Sequence, residues 1–310
     1  MTRRLSDLPA GAVVVGVDGS EPAEHAAAWA AEVAGREHRP LVLAHGVHRA
    51  LPLAPEGVVA GPSLEEELRR AGVRVVARAE DHVRQRHPGI EPTSIRVTAD
   101  ARELLVALSR RAALLVVGAR GLGRVRALLL GSVSSAVVRQ AHCPVVVVRA
   151  PVDPATAHGV LVGIGGTAAS VATLEFAFRA ASWRGDGLTV LHCVGEAITA
   201  QGHALAAPPH TDHQEERLVV SETLASLRER YPDIAITVQL DHGLAEQALA
   251  DLTHDRALVV VGSRPHGALL DLVLGSVATA LTEHARCPVA VVPHDPRLRA
   301  HGPPDPAGER

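Results

Sequence analysis

Apolar runs alternate with segments carrying helix start and stop signals along most of the chain. Val13–Val17 is the first run and ends at Asp18-Gly19-Ser20; Pro22 stands where a first helical turn begins, which predicts strand, turn and helix in succession. Gly35 is expected to close that helix. Leu41–His45 predicts a second strand, and Leu51–Pro62, rich in proline and glycine, predicts a loop. Ser63 and Glu66 have the spacing of a capping box, opening a helix to about Pro88-Gly89. A strand near Ile95–Val97, a helix near Ala101–Arg110, a strand at Leu114–Val117, a helix from Gly131 and a strand at Val145–Val148 follow.

From Val160 the order repeats, with strands near Leu161 and at Thr189–His192, Ile234–Gln239, Leu258–Val261 and Val289–Val292. The fourth strand of the first copy leads into Gly118-Ala119-Arg120-Gly121, nine residues, Gly131-Ser132-Val133 and then Cys143-Pro144. The second copy has Gly262-Ser263-Arg264-Pro265, nine residues, Gly275-Ser276-Val277 and then Cys287-Pro288. The differences 262 − 118, 275 − 131 and 287 − 143 all equal 144, so one fold is used twice. Nearly unbroken apolar runs at the fourth and fifth strands indicate a parallel sheet covered on both faces. The predicted fold class is α/β, two tandem doubly wound five-stranded sheets of the Rossmann-like kind. The expected domains are residues 10–150 and 157–293, joined by a linker at Pro151–His158 and followed by a disordered tail over 294–310.

Composition narrows the chemistry. A length of 310 residues accommodates two domains of ordinary size. A formal net charge of −3 gives no basic footprint for nucleic acid. The chain contains no lysine and no asparagine, which excludes a lysine-bearing phosphate loop, a Schiff base and a protein-kinase site. Cys143, Cys193 and Cys287 are too few and too far apart for a disulfide framework or a zinc site. The start lacks an apolar signal region and no run approaches a membrane span, so a cytoplasmic protein without a membrane partner is expected.

The glycines fall at strand ends, where open parallel sheets bind ligands. Gly118 and Gly121 leave the fourth strand, and Gly131 and Ser132 open a helix whose unpaired N–H groups and dipole favour an anion. Arg120, Arg124 and Arg126 offer the positive charge that lysine supplies elsewhere. Together with Val13-Val-Val-Gly16-Val-Asp18, the pattern Gly118-x-x-Gly121, nine residues, Gly131-Ser132 resembles the ATP-binding pattern of the universal stress protein family.

The resemblance implies an adenine nucleotide, ATP with or without Mg2+, held between the first and fourth strands, and a regulatory role in stress or dormancy. It also implies pairing of the two copies near their fifth strands, and a homodimer. Gly16 and Asp18 would line the nucleoside side, with Gly46 beside adenine. Gly118, Ala119, Arg120, Gly121, Leu122, Gly123, Arg124, Gly131, Ser132 and Val133 would surround the phosphates. The matching second-copy positions are Gly163, Gly262, Ser263, Arg264, Gly267, Gly275, Ser276 and Val277. That copy has Gly165 in place of Asp18 and Pro265 in place of Gly121, which predicts weaker binding there.

Three rival readings differ in class. Gly163-Ile-Gly165-Gly166-Thr167-Ala168 fits a dinucleotide fingerprint, but the second strand ends in His192-Cys193 without the acidic residue that reads ribose. A slow ATPase or nucleotidyl-transfer enzyme could use Asp18 to hold a metal, yet no group for orienting water stands out. A scaffold without ligands is opposed by the intact first-copy pattern. His203, His210, Asp212 and His213 are metal-capable but sit in loop-like sequence, with Asp212 and Glu215 read as a helix cap and its partner. His45 and His192, ending the second strand of each copy, are expected to serve packing or hydrogen bonding rather than catalysis, and Trp29 and Trp183 to be core.

Overall fold

The computed structural model describes residues 7–47, 62–121, 129–149, 156–165, 170–194, 197–198, 204–205, 214–263 and 274–293. The first half runs β1 (Val13–Gly16), α1 (Glu21–Arg36), β2 (Leu41–Gly46), α2 (Pro62–Arg86), β3 (Thr93–Val97), α3 (Ala101–Ser109), β4 (Leu114–Gly118), α4 (Ser132–Gln140) and β5 (Val145–Val148). The second half contains β6 (Val160–Ile164), α5 (Ser170–Arg184), β7 (Leu188–Val194), the short antiparallel pair β8 (Ala197–Ile198) and β9 (Ala204–Leu205), and α6 (Gln214–Arg230). It continues with β10 (Ile236–His242), α7 (Ala245–Asp251), β11 (Leu258–Gly262), α8 (Ser276–His284) and β12 (Val289–Val292).

Local chemistry explains most of these boundaries. Ser20 caps α1 by accepting from the Ala23 amide at 3.4 Å, and Glu21 and Glu24 face the positive end of the helix dipole. Ala23, Ala26, Ala27, Ala30, Ala31 and Ala34 are buried, so this helix packs on the sheet through a face of small side chains. It continues through Gly35 to Arg36, and the chain then turns at His38, whose φ is 51°. The start differs from the one expected at Ser63: α2 begins at Pro62, which suits a first helical turn, and Ser63 stands inside the helix. Glu66 instead binds Arg69 and Arg70, each at 2.7 Å. The strand expected from Ile234 starts at Ile236 and runs to His242, because its parallel ladder with β7 continues to the pair His242–Val194. The expected tail, most of the linker and the cluster at His203, His210, Asp212 and His213 lie outside the described residues.

All the longer strands join one ten-stranded sheet in the order β10-β7-β6-β11-β12-β5-β4-β1-β2-β3. Within each half the ladder is parallel; between halves β5 and β12 run antiparallel. The expected pair of five-stranded sheets is therefore present as one continuous sheet. Val146 stands opposite Ala290, and these are equivalent positions of the two copies, 290 − 146 being the same 144. The register is thus self-complementary about a pseudo-two-fold axis at that pair. Both strands are buried apolar runs, and pairing removes two edges that would otherwise be open to association.

Alternating side chains divide the core into two layers, and each spans both halves. One side of the sheet packs Val13, Val116, Val146, Val162, Val260 and Ala290 into a layer with α1 and α5. The other packs Val14, Leu115, Val147, Leu161, Val259 and Val291 with residues of α3, α4, α7 and α8. Trp29 and Trp183 are only partly buried. They meet edge-to-face across the two halves, with ring centroids 6.1 Å apart. Among the described residues no helix is long and apolar enough to cross a membrane.

Two measurements check this packing. Val146→Asp places an unpaired carboxylate in both halves' shared core and is expected to lower stability by about 3–5 kcal/mol in urea unfolding; a smaller loss than ordinary surface substitutions cause would contradict the central role of the pair. Burial pushes the thiols of Cys143 and Cys287 up to about 12. At pH 8 both remain thiols, so a disulfide reagent is expected to modify one cysteine, Cys193, per native chain and all three after denaturation.

Candidate ligand site at the strand ends

A cavity of about 790 Å3 opens beyond the carboxyl ends of β1, β2 and β4 in the first half. This is where the parallel order reverses between β1 and β4, so their following helices leave on opposite faces and the ends splay apart. Val17, Ala44, Leu105 and Val117 make one side apolar. Asp18, Arg120, Gly121, Gly131, Ser132 and Val133 line the other.

The donor-rich side is built by short backbone links. Ala119 donates to Val148 O at 2.8 Å, and Gly131 donates to Ala119 O at 2.8 Å, which brings the start of α4 back beside the end of β4. Among the described residues no side chain caps α4. Its first-turn amides therefore have no partner inside the helix, and the positive end of its dipole faces the cavity. Ser134, which sequence reasoning did not single out, donates its hydroxyl to Gly118 O at 2.7 Å and fixes the helix against the strand. A serine one turn after a glycine cap carries little sequence signal; its role depends on the strand beside it.

The glycines serve different ends. None of Gly118, Gly121 and Gly131 has positive φ, so the turn does not require glycine for backbone conformation. A Cβ on Gly118 would lie 2.7 Å from Pro22 C and O, where α1 crosses the strand. A Cβ on Gly46 would meet Ala101 Cα at 2.8 Å at the start of α3. A Cβ on Gly121 would collide with Asp18 Oδ2. Gly131 differs, since its Cβ would meet nothing nearer than Ala119 O at 3.4 Å, an ordinary contact. The fold leaves that position free.

Asp18 is held by its neighbours: Oδ1 accepts from Ser20 N at 2.9 Å and from Ser20 Oγ at 2.6 Å, leaving Oδ2 beside Gly121. His45 lies 2.7 Å from Val17 O through Nδ1, and His192 lies 3.0 Å from Ile164 O in the same way. A carbonyl only accepts, so each Nδ1 carries the proton and donates. Both histidines thus brace the end of the first strand of their half, as expected.

Arg149 was also missed from sequence. It follows β5 and donates to Leu129 O at 3.4 Å and, across the join, to Thr282 O of α8. Its Nε is buried without a partner. Burial, then Arg120, holds this guanidinium below its ordinary pKa, while Glu283 acts in the opposite direction.

The second half repeats the backbone frame. Ser263 donates to Val292 O at 2.9 Å and Gly275 to Ser263 O at 3.0 Å, with α8 again uncapped by a side chain. Gly163 is the penultimate residue of β6, Gly262 ends β11, and Ser276 and Val277 open α8. Ala278 stands in place of Ser134 and cannot make its hydrogen bond. Leu122, Gly123, Arg124, Arg126, Arg264, Pro265, Gly166 and Gly267 lie outside the described residues. Among the described residues no three histidine, cysteine or carboxylate side chains gather to hold a metal.

The model of the universal stress protein family matches twice, over residues 10–149 and 157–293. The chain belongs to the universal stress protein family. Universal stress protein Rv2623 of Mycobacterium tuberculosis is 34% identical over 286 residues, covering 90% of this chain and 95% of its own. Universal stress protein Rv2005c of the same organism is 35% identical over 287 residues, covering 90% and 96%. The crystal structure of a universal stress protein from Archaeoglobus fulgidus superposes with a TM-score of 0.69 at 17% identity, covering 93% of this chain and 100% of that one, which supports the shared fold.

The glycine geometry separates structural from free positions. Gly118→Ala forces apart backbone atoms of α1 and is expected to cost about 1–3 kcal/mol of stability, whereas Gly131→Ala should stay within about 0.5 kcal/mol of wild type. Denaturant midpoints compare them directly; equal losses would refute the distinction.

Proposed function

We propose that the first-half cavity binds an adenine nucleotide, ATP with or without Mg2+, and that occupancy regulates the protein's interactions in stress or dormancy. The observation that carries this reading is Gly131. The fold does not need glycine there, yet it borders the cavity at the uncapped start of α4. A missing side chain at that point leaves the amides of Ser132 and Val133 open to an anion.

The volume of about 790 Å3 falls within the usual range for small-molecule pockets, about 300–1,000 Å3. Val17, Ala44, Leu105 and Val117 offer an apolar slot for a flat base; Asp18 suits ribose hydroxyls or a metal ion; Gly121, Gly131, Ser132 and Arg120 suit phosphates. These residues can bind, orient and neutralise a nucleotide.

The second half is proposed as the weaker site. Asp18 excludes a side chain from position 121, so its replacement by Gly165 removes the obstacle to Pro265 at the matching position. The two substitutions read as one coupled change, which deletes a carboxylate and an N–H together.

Calorimetry with ATP tests both statements. One tight site per chain is expected, weakened about 30-fold or more by Gly131→Val, equivalent to about 2 kcal/mol of lost hydrogen bonding to charge. Gly275→Val should leave the tight site intact. Wild-type affinity in folded Gly131→Val would refute the assignment, and two equivalent sites would refute the asymmetry. Sustained hydrolysis near the median enzyme rate of about 10 per second, abolished by Asp18→Ala, would favour an enzyme instead.

A further inference from the structure

A second cavity, of about 580 Å3, lies away from the first, between the two halves. Its wall from the first half is the outer part of α1 and the end of α2. Its floor from the second half is the chain just before β6, β11 and β12, at Ala157, Ala257 and Pro288. The antiparallel join creates this juxtaposition, bringing strand starts of one half beside helices of the other.

The charges around this cleft do not balance. Arg36 is occupied by Glu32 at 3.0 Å, and Arg184 by Asp186 at 2.8 Å. Arg86 is different. Two residues away, Arg84 approaches Glu80, Asp81 and Glu91, but among the described residues Arg86 has no carboxylate partner. Its positive charge adds to burial in pushing neighbouring His82 below the ordinary histidine pKa. His87 follows Arg86 into the cleft, its ring likewise without a partner among the described residues. Trp29 supplies a flat apolar surface beside them, backed by Trp183.

The matching place on the other side of the pseudo-axis is chemically different. Phe176 replaces Trp29 and Tyr231 replaces His87; Glu37, the counterpart of Arg184, binds Arg39 at 2.6 Å and Arg179 at 3.1 Å. Tyr231 packs against Phe178 with centroids 5.6 Å apart. There Glu37 takes two arginines and the aromatic side chain has a ring partner, while Arg230, the counterpart of Arg86, likewise has no carboxylate partner among the described residues. Of the two places, the first is where an uncommitted arginine stands with a histidine and a partly buried indole.

The geometry points to a binding site for a small ligand that joins a flat apolar body to a phosphate or carboxylate, with Arg86 and His87 holding the anion and Trp29 the flat body. Arg86 supplies a forked cationic donor and His87 a neutral or charged N–H, while the indole face covers a ring at little cost in conformational freedom. This site is independent of nucleotide binding at the strand ends.

The chain's two tryptophans are the pair at this cleft, so their emission reports it directly. Full-length protein would be titrated with phenyl phosphate, benzoate, inorganic phosphate and phenol. A saturable emission change is expected with phenyl phosphate, benzoate or both, which distinguishes the two anion types. Arg86→Ala, at an exposed helix end, should weaken it about tenfold or more, and His87→Ala should weaken it too. Gly131→Val should leave it unchanged. The proposal is overturned if neither anion gives a saturable change, if Arg86→Ala binds as well as wild type, or if Gly131→Val abolishes the response. Phenol binding as tightly as phenyl phosphate would overturn the anion requirement, and inorganic phosphate doing so would overturn the role of the ring.

Discussion

The antiparallel pairing of β5 with β12 is the constraint from which the architecture follows. Each half has a parallel ladder ending in a buried apolar strand, and such a strand cannot face water without inviting association. Pairing the two satisfies both backbones and merges the layers on each face of the sheet into cores that cross the join. The remaining sheet edges, β3 and β10, carry Arg96 and Asp241 among their residues, which suits outer strands better than the all-apolar sequence of β5. The join also places Arg149 against α8 and Trp29 against Trp183, so the surroundings of both cavities include contacts between halves.

At the strand ends, small residues perform separate tasks that a shared motif conceals. Gly118 and Gly46 make room for α1 and α3, and Gly121 makes room for the carboxylate of Asp18. Among these described glycines, Gly131 is the one that packing does not explain. This division matters for comparing the halves, because the aspartate that obstructs a side chain at Gly121 is replaced by Gly165 in the half whose sequence has Pro265 at the matching place.

Much of this was legible in the sequence, for identifiable reasons. Strands covered on both faces are continuous apolar runs, so β1, β4, β5, β11 and β12 were placed within a residue or two, and the 144-residue spacing exposed the repeat. Gly16, Asp18, Gly46, Gly118, Gly121, Gly131 and Ser132 do border one cavity. Local signals failed where a longer-range partner decided the outcome. Ser63 and Glu66 look like a cap, but Pro62 starts the helix and two arginines take the glutamate. Ser134 and Arg149 act through carbonyls 16 and 133 residues away, and neither has a spacing that sequence alone would mark. The register of β5 on β12 depends on three-dimensional closure, although the apolar character of both strands was visible.

Holding both halves in one chain has a consequence for how they can change. In a dimer of identical subunits, every substitution strikes both sides of the two-fold axis, so a change harmful at one place is harmful twice. Here the axis runs between non-identical residues, Val146 and Ala290. Gly165 can stand where the other half keeps Asp18, and Glu37 where the other keeps Arg184, without either site carrying the cost of its neighbour's divergence. Broken symmetry lets one half keep a carboxylate and a glycine at places where the other has exchanged both.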